Sequence, residues 1–145
     1  MELINRIIHA LTELHPTHPM LVHFPIALTG AAFLFVLLAS WRNSASLEQA
    51  AFANIVLASL GTVAAGITGY LDNIKNYLGD APNAGTKIIL ASVLFLLTTG
   101  ISIVRYRNPA LFQKGNRLLY IASYGVSFAI ALVLAFLGGV ILYGF

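Results

Sequence analysis

The sequence predicts an all-α membrane protein: four transmembrane helices in a bundle, preceded by an N-terminal amphipathic helix. Composition is the first reason. Hydrophobic residues make up 59% of the 145 residues and charged residues only 9%, whereas ordinary soluble chains are roughly 25% charged. The second reason is a series of four apolar runs separated by polar segments, each close to the length of about 20 residues that a helix needs to cross a bilayer. Such a chain must expose most of its surface to lipid.

The N-terminal segment 1–14 has the pattern of an interfacial helix. Its large apolar residues recur at helical spacing and share one face: Leu3, Ile4, Ile7, Ile8, Leu11 and Leu14. A helix of this kind just before a span lies flat in the membrane interface, and docking on a partner subunit is the alternative. Proline at position 16 predicts that this helix ends near Leu14. We therefore divide the chain into residues 1–14 and a membrane domain over residues 15–145.

The four spans are predicted at about 18–41, 49–70, 86–104 and 118–143. Asn43 to Glu48 are expected to form a short polar turn, residues 72–87 the longest polar connection, and residues 105–117 a basic loop. Pro25 lies inside the first span and removes the hydrogen bond to the carbonyl of Leu21, which predicts a kink or an opened turn.

Small residues recur along the second span at intervals of three or four: Ala58, Gly61, Ala65 and Gly69. Faces of this kind let helix backbones approach closely and favour packing against another helix over lipid. The cores of the second to fourth spans contain no acidic residue and no histidine. We therefore expect no catalytic residue, and proton or ion transport is disfavoured.

Orientation follows from the distribution of cations, because cytoplasmic loops carry the excess of Lys and Arg. One side holds five of the eight cationic residues: Arg42, Arg105, Arg107, Lys114 and Arg117. The other side holds Arg6, Lys75 and Lys87. This pattern places both termini on the non-cytoplasmic side. The net charge of +3 is small, so nucleic acid is not an expected partner.

The stretch from His15 to Pro25 holds three of the four histidines. Its prolines break regular geometry, so His15, His18 and His23 could converge on a zinc or copper ion, which imidazole suits. Asp72 and Asp80 are on the same predicted side and could supply a carboxylate.

Haem b is another cofactor that histidine can bind. His18 and His23 are five residues apart and point away from each other on a regular helix. The remaining arrangements use His23 as a single axial ligand, a ligand from the amphipathic segment, or His23 from two protomers. A single histidine would also suit a chlorophyll-type pigment. In the purely structural alternative, His23 donates to a carbonyl freed by Pro25, or to Asp72 or Tyr70, while His15 and His18 are solvated at the interface.

Three segments carry a resemblance to a known family. They are His-Pro-Met-Leu-Val-His-Phe-Pro-Ile-Ala-Leu at 18–28, Ala-Gly-Ile-Thr-Gly-Tyr-Leu-Asp at 65–72, and Gly-Gly-Val-Ile-Leu-Tyr-Gly at 138–144. In this order they resemble DUF2231, a family of small four-span bacterial membrane proteins. The resemblance implies a bacterial inner membrane and a genetic neighbourhood of redox or cytochrome components, in which a haem role is suspected. The family usually has a further histidine near 84–87, where this chain has Ala-Gly-Thr-Lys.

These observations together favour a small non-catalytic subunit or assembly partner of a bacterial respiratory or photosynthetic membrane complex, surrounded by lipid and other membrane subunits. The alternative is a haem- or metal-binding redox protein that uses the His15–Pro25 stretch. The residues expected to have structural roles are Pro25, Gly61, Gly69, Asp72, Gly138 and Gly139.

Overall fold

The computed structural model describes residues 2–9 and 17–143, and six helices account for most of them. The helices are α1 (Glu2–His9), α2 (Thr17–Arg42), α3 (Ala45–Tyr77), α4 (Ala84–Arg107), α5 (Leu111–Lys114) and α6 (Arg117–Tyr143). The described residues contain no strand. Four of the helices, α2, α3, α4 and α6, are long and apolar enough to cross a membrane. The all-α class with four membrane-crossing helices is therefore confirmed, while the interfacial position of α1 stays a prediction.

The connection between α2 and α3 is shorter than expected. Asn43 to Glu48 were predicted to form a polar turn, but α3 begins at Ala45 and includes Glu48. Asn43 takes a left-handed conformation with φ of 50°, and Ser44 caps α3 by accepting a hydrogen bond from the backbone N–H of Leu47 at 3.4 Å. A cap can start the helix before the apolar run begins, so polarity alone misplaces the boundary.

At its other end α3 continues past the apolar run to Tyr77. Leu78 then adopts a left-handed conformation that ends the helix. The side chain of Asn73 fixes the following turn, because its amide donates to the carbonyl of Gly79 and its oxygen accepts from the N–H of Ala81. The predicted basic loop also contains the short helix α5.

Helix α2 continues through Pro25, which is buried. The hydroxyl of Thr29 donates to the carbonyl of Pro25 at 2.6 Å. Gly61 of α3 faces this turn, and a Cβ atom at that position would lie 3.3 Å from Cδ of Pro25. The proline ring and the glycine thus mark a place where α2 and α3 pack closely.

The four long helices form a ring in which α2 and α4 each contact both α3 and α6. The core-facing positions follow a strict alternation of three- and four-residue steps, which is the geometry of a left-handed bundle. We call these positions the seam. Its members are His18, Val22, Pro25, Thr29, Ala32, Val36 and Ala39 of α2; Glu48, Ala51, Ile55, Ala58, Thr62, Ala65, Gly69 and Asp72 of α3; Lys87, Ala91, Leu94, Thr98, Ile101 and Arg105 of α4; and Tyr120, Tyr124, Ser127, Ala131, Leu134 and Gly138 of α6.

Candidate functional site

The two ends of the seam differ in how they are closed. We call them the Glu48 end, where α3 begins, and the His18 end, where α2 begins. At the Glu48 end, Glu48 is only 3% exposed. Its carboxylate accepts two hydrogen bonds from Arg105, from Nε at 2.6 Å and from Nη2 at 2.7 Å. This bidentate geometry is the strongest form of an arginine–carboxylate pair.

Helix α6 completes the Glu48 network. The hydroxyl of Tyr120 donates to Glu48 Oε1 at 2.7 Å, and the Tyr124 hydroxyl lies 2.8 Å from that of Tyr120. Because Tyr120 gives its only hydroxyl proton to Glu48, Tyr124 must donate to Tyr120. The network therefore joins α3, α4 and α6 and satisfies a buried charge.

Sequence reasoning missed the Glu48 network because Glu48 was assigned to a turn. A signal was present: Glu48 opens the second long helix and Arg105 closes the third, so two antiparallel neighbours place these residues at the same level. Both also lie at seam positions, three or four residues from a buried neighbour. A charge that continues a core-facing repeat indicates a buried pair.

The His18 end of the seam is open. Among the side chains that the structure describes, none is buried beyond Pro25 in α2, Ala65 in α3, Leu94 in α4 or Ala131 in α6. The remaining seam positions at this end are half-buried, and they include His18, Asp72 and Lys87. The segments 18–28 and 65–72 meet here.

His18 packs directly on α3. A Cβ atom at Gly69 would lie 2.7 Å from Cε1 of the His18 ring, so only glycine leaves room for the imidazole. Nδ1 of His18 lies 3.4 Å from Oγ1 of Thr68, and the Thr68 hydroxyl donates to the carbonyl of Ala64. Nδ1 is therefore the donor to Thr68, and Nε2 is left without a proton when the ring is neutral. The expectation that His18 is simply solvated is wrong, because the ring is half-buried against α3.

Asp72 and Lys87 both act on His18. The Lys87 ammonium and the Asp72 carboxylate both lie close enough to act electrostatically on the imidazole, with opposite signs. Lys87 and Asp72 also interact with each other. The Asp72 carboxylate accepts a hydrogen bond from the Asn76 side chain at 2.6 Å. Three helices thus bring three ionisable groups to one end of the seam. Lys87 was not among the predicted site residues.

His23 is placed differently. Its ring is exposed, and Nδ1 hydrogen-bonds the carbonyl of Pro19, one turn earlier in α2. The expected structural partners were the carbonyl freed by Pro25, Asp72 or Tyr70, so the partner differs from that expectation. The reason is local: an imidazole four residues after a carbonyl can reach back to it. A carbonyl acceptor makes Nδ1 the protonated nitrogen and leaves Nε2 available as a ligand atom.

The structure does not bring His18 and His23 to one place, since one ring lies on Gly69 of α3 and the other is exposed. Within the described residues, no three His, Cys, Asp or Glu side chains are grouped so that they could hold a metal ion. His15, the third histidine of the predicted metal set, lies outside the described residues.

The glycines with expected structural roles fall into two groups. Gly61 and Gly69 make the close contacts of α3 with α2. Gly138 and Gly139 lie at the His18 end of α6, and a Cβ atom at either position would meet no atom within 4 Å. Neither position therefore shows the close helix contact that Gly61 and Gly69 make.

The ring of four apolar helices with a charged network inside it defines an integral membrane protein of the four-helix-bundle class. The chain belongs to the family described as Predicted membrane protein (DUF2231), whose family model matches residues 14–145. No curated protein matches the chain, and no solved structure matches it either. The family and the fold thus establish a membrane protein in a lipid bilayer.

Proposed function

We propose that the protein is a small non-catalytic subunit or assembly partner of a respiratory or photosynthetic complex in a bacterial inner membrane. The observation that carries this proposal is an exposed apolar row at the end of α3. Its members are Tyr70, Leu71, Ile74, Tyr77 and Leu78, which are between 37% and 93% exposed. Tyr70, Leu71, Ile74 and Tyr77 recur at helical spacing and share one face of α3, and Leu78 follows directly at the C-cap.

The row lies beyond the contact with α2. His18, in the first turn of α2, meets Gly69, so residues 70–77 extend past that contact by about 12 Å at 1.5 Å per residue. Helix α3 has 33 residues, which gives a length of about 50 Å against a hydrocarbon core of about 30 Å. The end of α3 therefore reaches beyond the apolar part of the bilayer.

Large apolar side chains outside the hydrocarbon core are exposed to water. When a partner covers them, the complex is stabilised by about 25 cal/mol per Å² of apolar surface that is buried. Another membrane subunit with an apolar surface at the same height would cover the row. Insertion of the two tyrosines among lipid headgroups is the competing explanation.

The proposal is tested by substituting residues of the row in the native organism. Leu71→Ser with Ile74→Ser should release the protein from its complex and lower the amount of that complex on a native gel. The matched control is Leu118→Ser with Leu119→Ser, because those residues are 78% and 68% exposed at the Glu48 end. If deletion of the gene leaves every membrane complex intact, the proposal is wrong. If both double variants assemble normally, lipid and not a partner covers the row, and the proposal loses its support.

A second candidate function, binding of haem or a metal, is favoured by the geometry of His23. The hydrogen bond to Pro19 orients the ring and presents Nε2 outward, which is how second-shell contacts prepare a histidine ligand. His23 could serve as a single axial ligand, or one His23 from each of two protomers could supply two axial ligands. A bound haem b would supply one-electron transfer.

An absorption spectrum with metal analysis tests this second candidate. Protein purified from haem-supplied cells should show a Soret band or stoichiometric metal that is lost in His23→Ala. A colourless preparation without metal contradicts it.

A further inference from the structure

A cavity lies at the Glu48 end, where the connection between α2 and α3 meets α5 and the start of α6. We call it the Arg117 cavity. Its volume is about 310 Å³, and its lining residues are Asn43, Ala45, Phe112, Gln113 and Arg117. Pockets for small ligands usually have volumes of about 300–1,000 Å³. Of the lining residues only Phe112 is buried, so the cavity is open on the protein surface.

The guanidinium of Arg117 brings a positive charge to this cavity. Its Nη1 donates to Oδ1 of Asn43 at 3.0 Å, and its Nη2 donates to the carbonyls of Ala39 and Ser40. These acceptors are all neutral. In the part of the chain that the structure describes, Nε is buried without a hydrogen-bond partner, and the second N–H of Nη1 has no acceptor. A half-buried cation with unused donors is stabilised by an anion.

Nη1 is the guanidinium nitrogen on the cavity side. It is bonded to Asn43, which lines the cavity, whereas Nη2 is bonded to Ala39 and Ser40, which do not. The Phe112 ring, 4.4 Å from the guanidinium carbon, covers a face of the group. The free N–H of Nη1 is therefore the charged donor that a ligand in the cavity can reach.

Neutral donors lie around Nη1. Because the oxygen of Asn43 accepts from Arg117, its amide nitrogen keeps both N–H groups free. The backbone N–H of Ala45, at the start of α3, has no acceptor among the described residues. First-turn N–H groups of a long helix favour anions. The cavity thus combines a guanidinium, a side-chain amide and a helix N-terminus.

The surrounding surface has the same sign of charge. Arg42 and Lys114 each adjoin a lining residue in the chain, and the segment 105–117 contains no acidic residue. Glu48 is the acidic residue closest in sequence to the lining residues, and Arg105 neutralises it through two hydrogen bonds. The positive charge around the cavity is therefore not compensated, which favours an anion over a cation.

The position of the cavity favours a lipid headgroup over a free anion. Trp41 and Tyr106 are 77% and 78% exposed at this end, and exposed aromatic residues at the ends of spans mark the headgroup level. Leu118 and Leu119 follow Arg117 directly and are 78% and 68% exposed. Apolar surface for acyl chains thus begins beside the cavity.

We propose that the Arg117 cavity binds the phosphate group of an anionic phospholipid, with Nη1 of Arg117 and the amide of Asn43 as donors. Basic pockets between transmembrane helices bind headgroups of this kind. The proposal is independent of the proposed subunit function, because the exposed row of α3 lies at the opposite end of that helix.

Native mass spectrometry of the full-length protein in neutral detergent tests the proposal. Delipidated protein is titrated with phosphatidylglycerol and, separately, with phosphatidylcholine, and the first lipid adduct gives an apparent Kd. We expect phosphatidylglycerol to bind about fivefold more tightly, because the cations around the cavity attract an anionic headgroup. Inorganic phosphate, which lacks acyl chains, should not displace the bound lipid at constant ionic strength.

Gln113 provides variants that leave the bundle intact, because its side chain is exposed and has no hydrogen bond in the described ranges. Gln113→Glu should weaken phosphatidylglycerol binding about tenfold, since it places a carboxylate beside the phosphate. Gln113→Lys should strengthen binding about threefold. Asn108→Glu is the matched control, because it changes the net charge equally at an exposed position of the same end that does not line the cavity. It should change affinity by less than about threefold.

Asn43 tests the contact itself. Asn43 has a φ of 50°, which glycine adopts without strain, so Asn43→Gly removes the amide and retains the backbone conformation. It should weaken phosphatidylglycerol binding about threefold, the effect of one hydrogen bond. Native-size elution of every variant controls for folding.

The proposal is overturned if the two lipids bind equally well or if Gln113→Glu binds as tightly as wild type. Equal weakening by Gln113→Glu and Asn108→Glu would also overturn it, because general surface charge would then explain the preference. Displacement of the lipid by inorganic phosphate would contradict the assignment to a lipid. Loss of the partner of the α3 row would leave all of these affinities unchanged.

Discussion

Arg105 holds the carboxylate of Glu48 through two hydrogen bonds of 2.6 and 2.7 Å at one end of the bundle axis. The pair joins α3 to α4, and Tyr120 of α6 adds a third bond to the same carboxylate. Charged groups thus occupy both ends of the seam, with apolar and hydroxyl-bearing residues between them. Among the described residues, hydrogen bonds between charged side chains join the helices at the Glu48 end and not at the His18 end.

Removing one partner of this pair should be more harmful than removing both. Arg105→Gln leaves a buried carboxylate without its counter-ion and should lower the free energy of unfolding by about 3–5 kcal/mol. The double variant Glu48→Gln with Arg105→Gln should cost less than Arg105→Gln alone, and less than the sum of the two single variants Glu48→Gln and Arg105→Gln. Denaturant unfolding in detergent micelles measures all three, and additive effects would show that the two side chains do not interact.

Gly69 and Gly66 offer a matched pair on the same helix. Gly69→Ala places a Cβ atom 2.7 Å from the His18 ring and should destabilise the protein by about 1–3 kcal/mol. Gly66→Ala meets no atom within 4 Å, so it should be neutral or should stabilise by up to about 1 kcal/mol. Thermal unfolding compares them, and adding His18→Ala should rescue Gly69→Ala. Equal effects of the two alanines would contradict the close packing of His18.

Arg117 should be the most important cation of the α5–α6 region. Its Nη2 donates to the carbonyls of Ala39 and Ser40, Nη1 donates to Asn43, and the guanidinium lies 4.4 Å from the Phe112 ring. These contacts stabilise the end of α2, where carbonyls lack partners.

Arg117→Ala should therefore cost about 1.5–3 kcal/mol, the range for hydrogen bonds to charged groups. Arg107→Ala, at an exposed position, is the control and should change stability by less than about 0.5 kcal/mol. The same unfolding assay measures both. An Arg107 effect as large as that of Arg117 would argue against the specific role of these bonds.

Orientation is testable because the chain has no cysteine, so each introduced thiol is the only one. Asp80→Cys should react with an impermeant thiol reagent added outside spheroplasts, whereas Lys114→Cys should react only after the membrane is opened. Both residues are exposed, so accessibility depends on sidedness alone. The reverse labelling pattern would place the termini in the cytoplasm.

The number and class of the helices could be predicted, because an apolar run long enough to span a bilayer has few structural alternatives to a transmembrane helix. The helix ends could not, because they depend on single residues such as Ser44 and Leu78 and not on hydropathy. The contact of His18 with Gly69 was not predicted either. Small residues on α3 indicated an interface, but which helix packs there, and at what height, follows only from the assembled bundle.

The charged groups show the same limit. Glu48, Lys87 and Arg105 fall in the predicted polar connections between spans, because each stands near the end of an apolar run. Their place in the three- and four-residue repeat was visible in the sequence. The repeat alone does not show which charged groups face each other, because that depends on the order of the helices around the ring.

The most direct test of the proposed subunit role is the native mass of the protein taken from its own membrane. Membranes carrying a tagged chromosomal copy are extracted with a mild detergent, and the tagged species is sized on a native gel and separated into its subunits. The account predicts a complex far larger than the 15.6 kDa protomer, with another membrane subunit in constant proportion. A species that contains only this chain, at the mass of one protomer with its detergent, would contradict it.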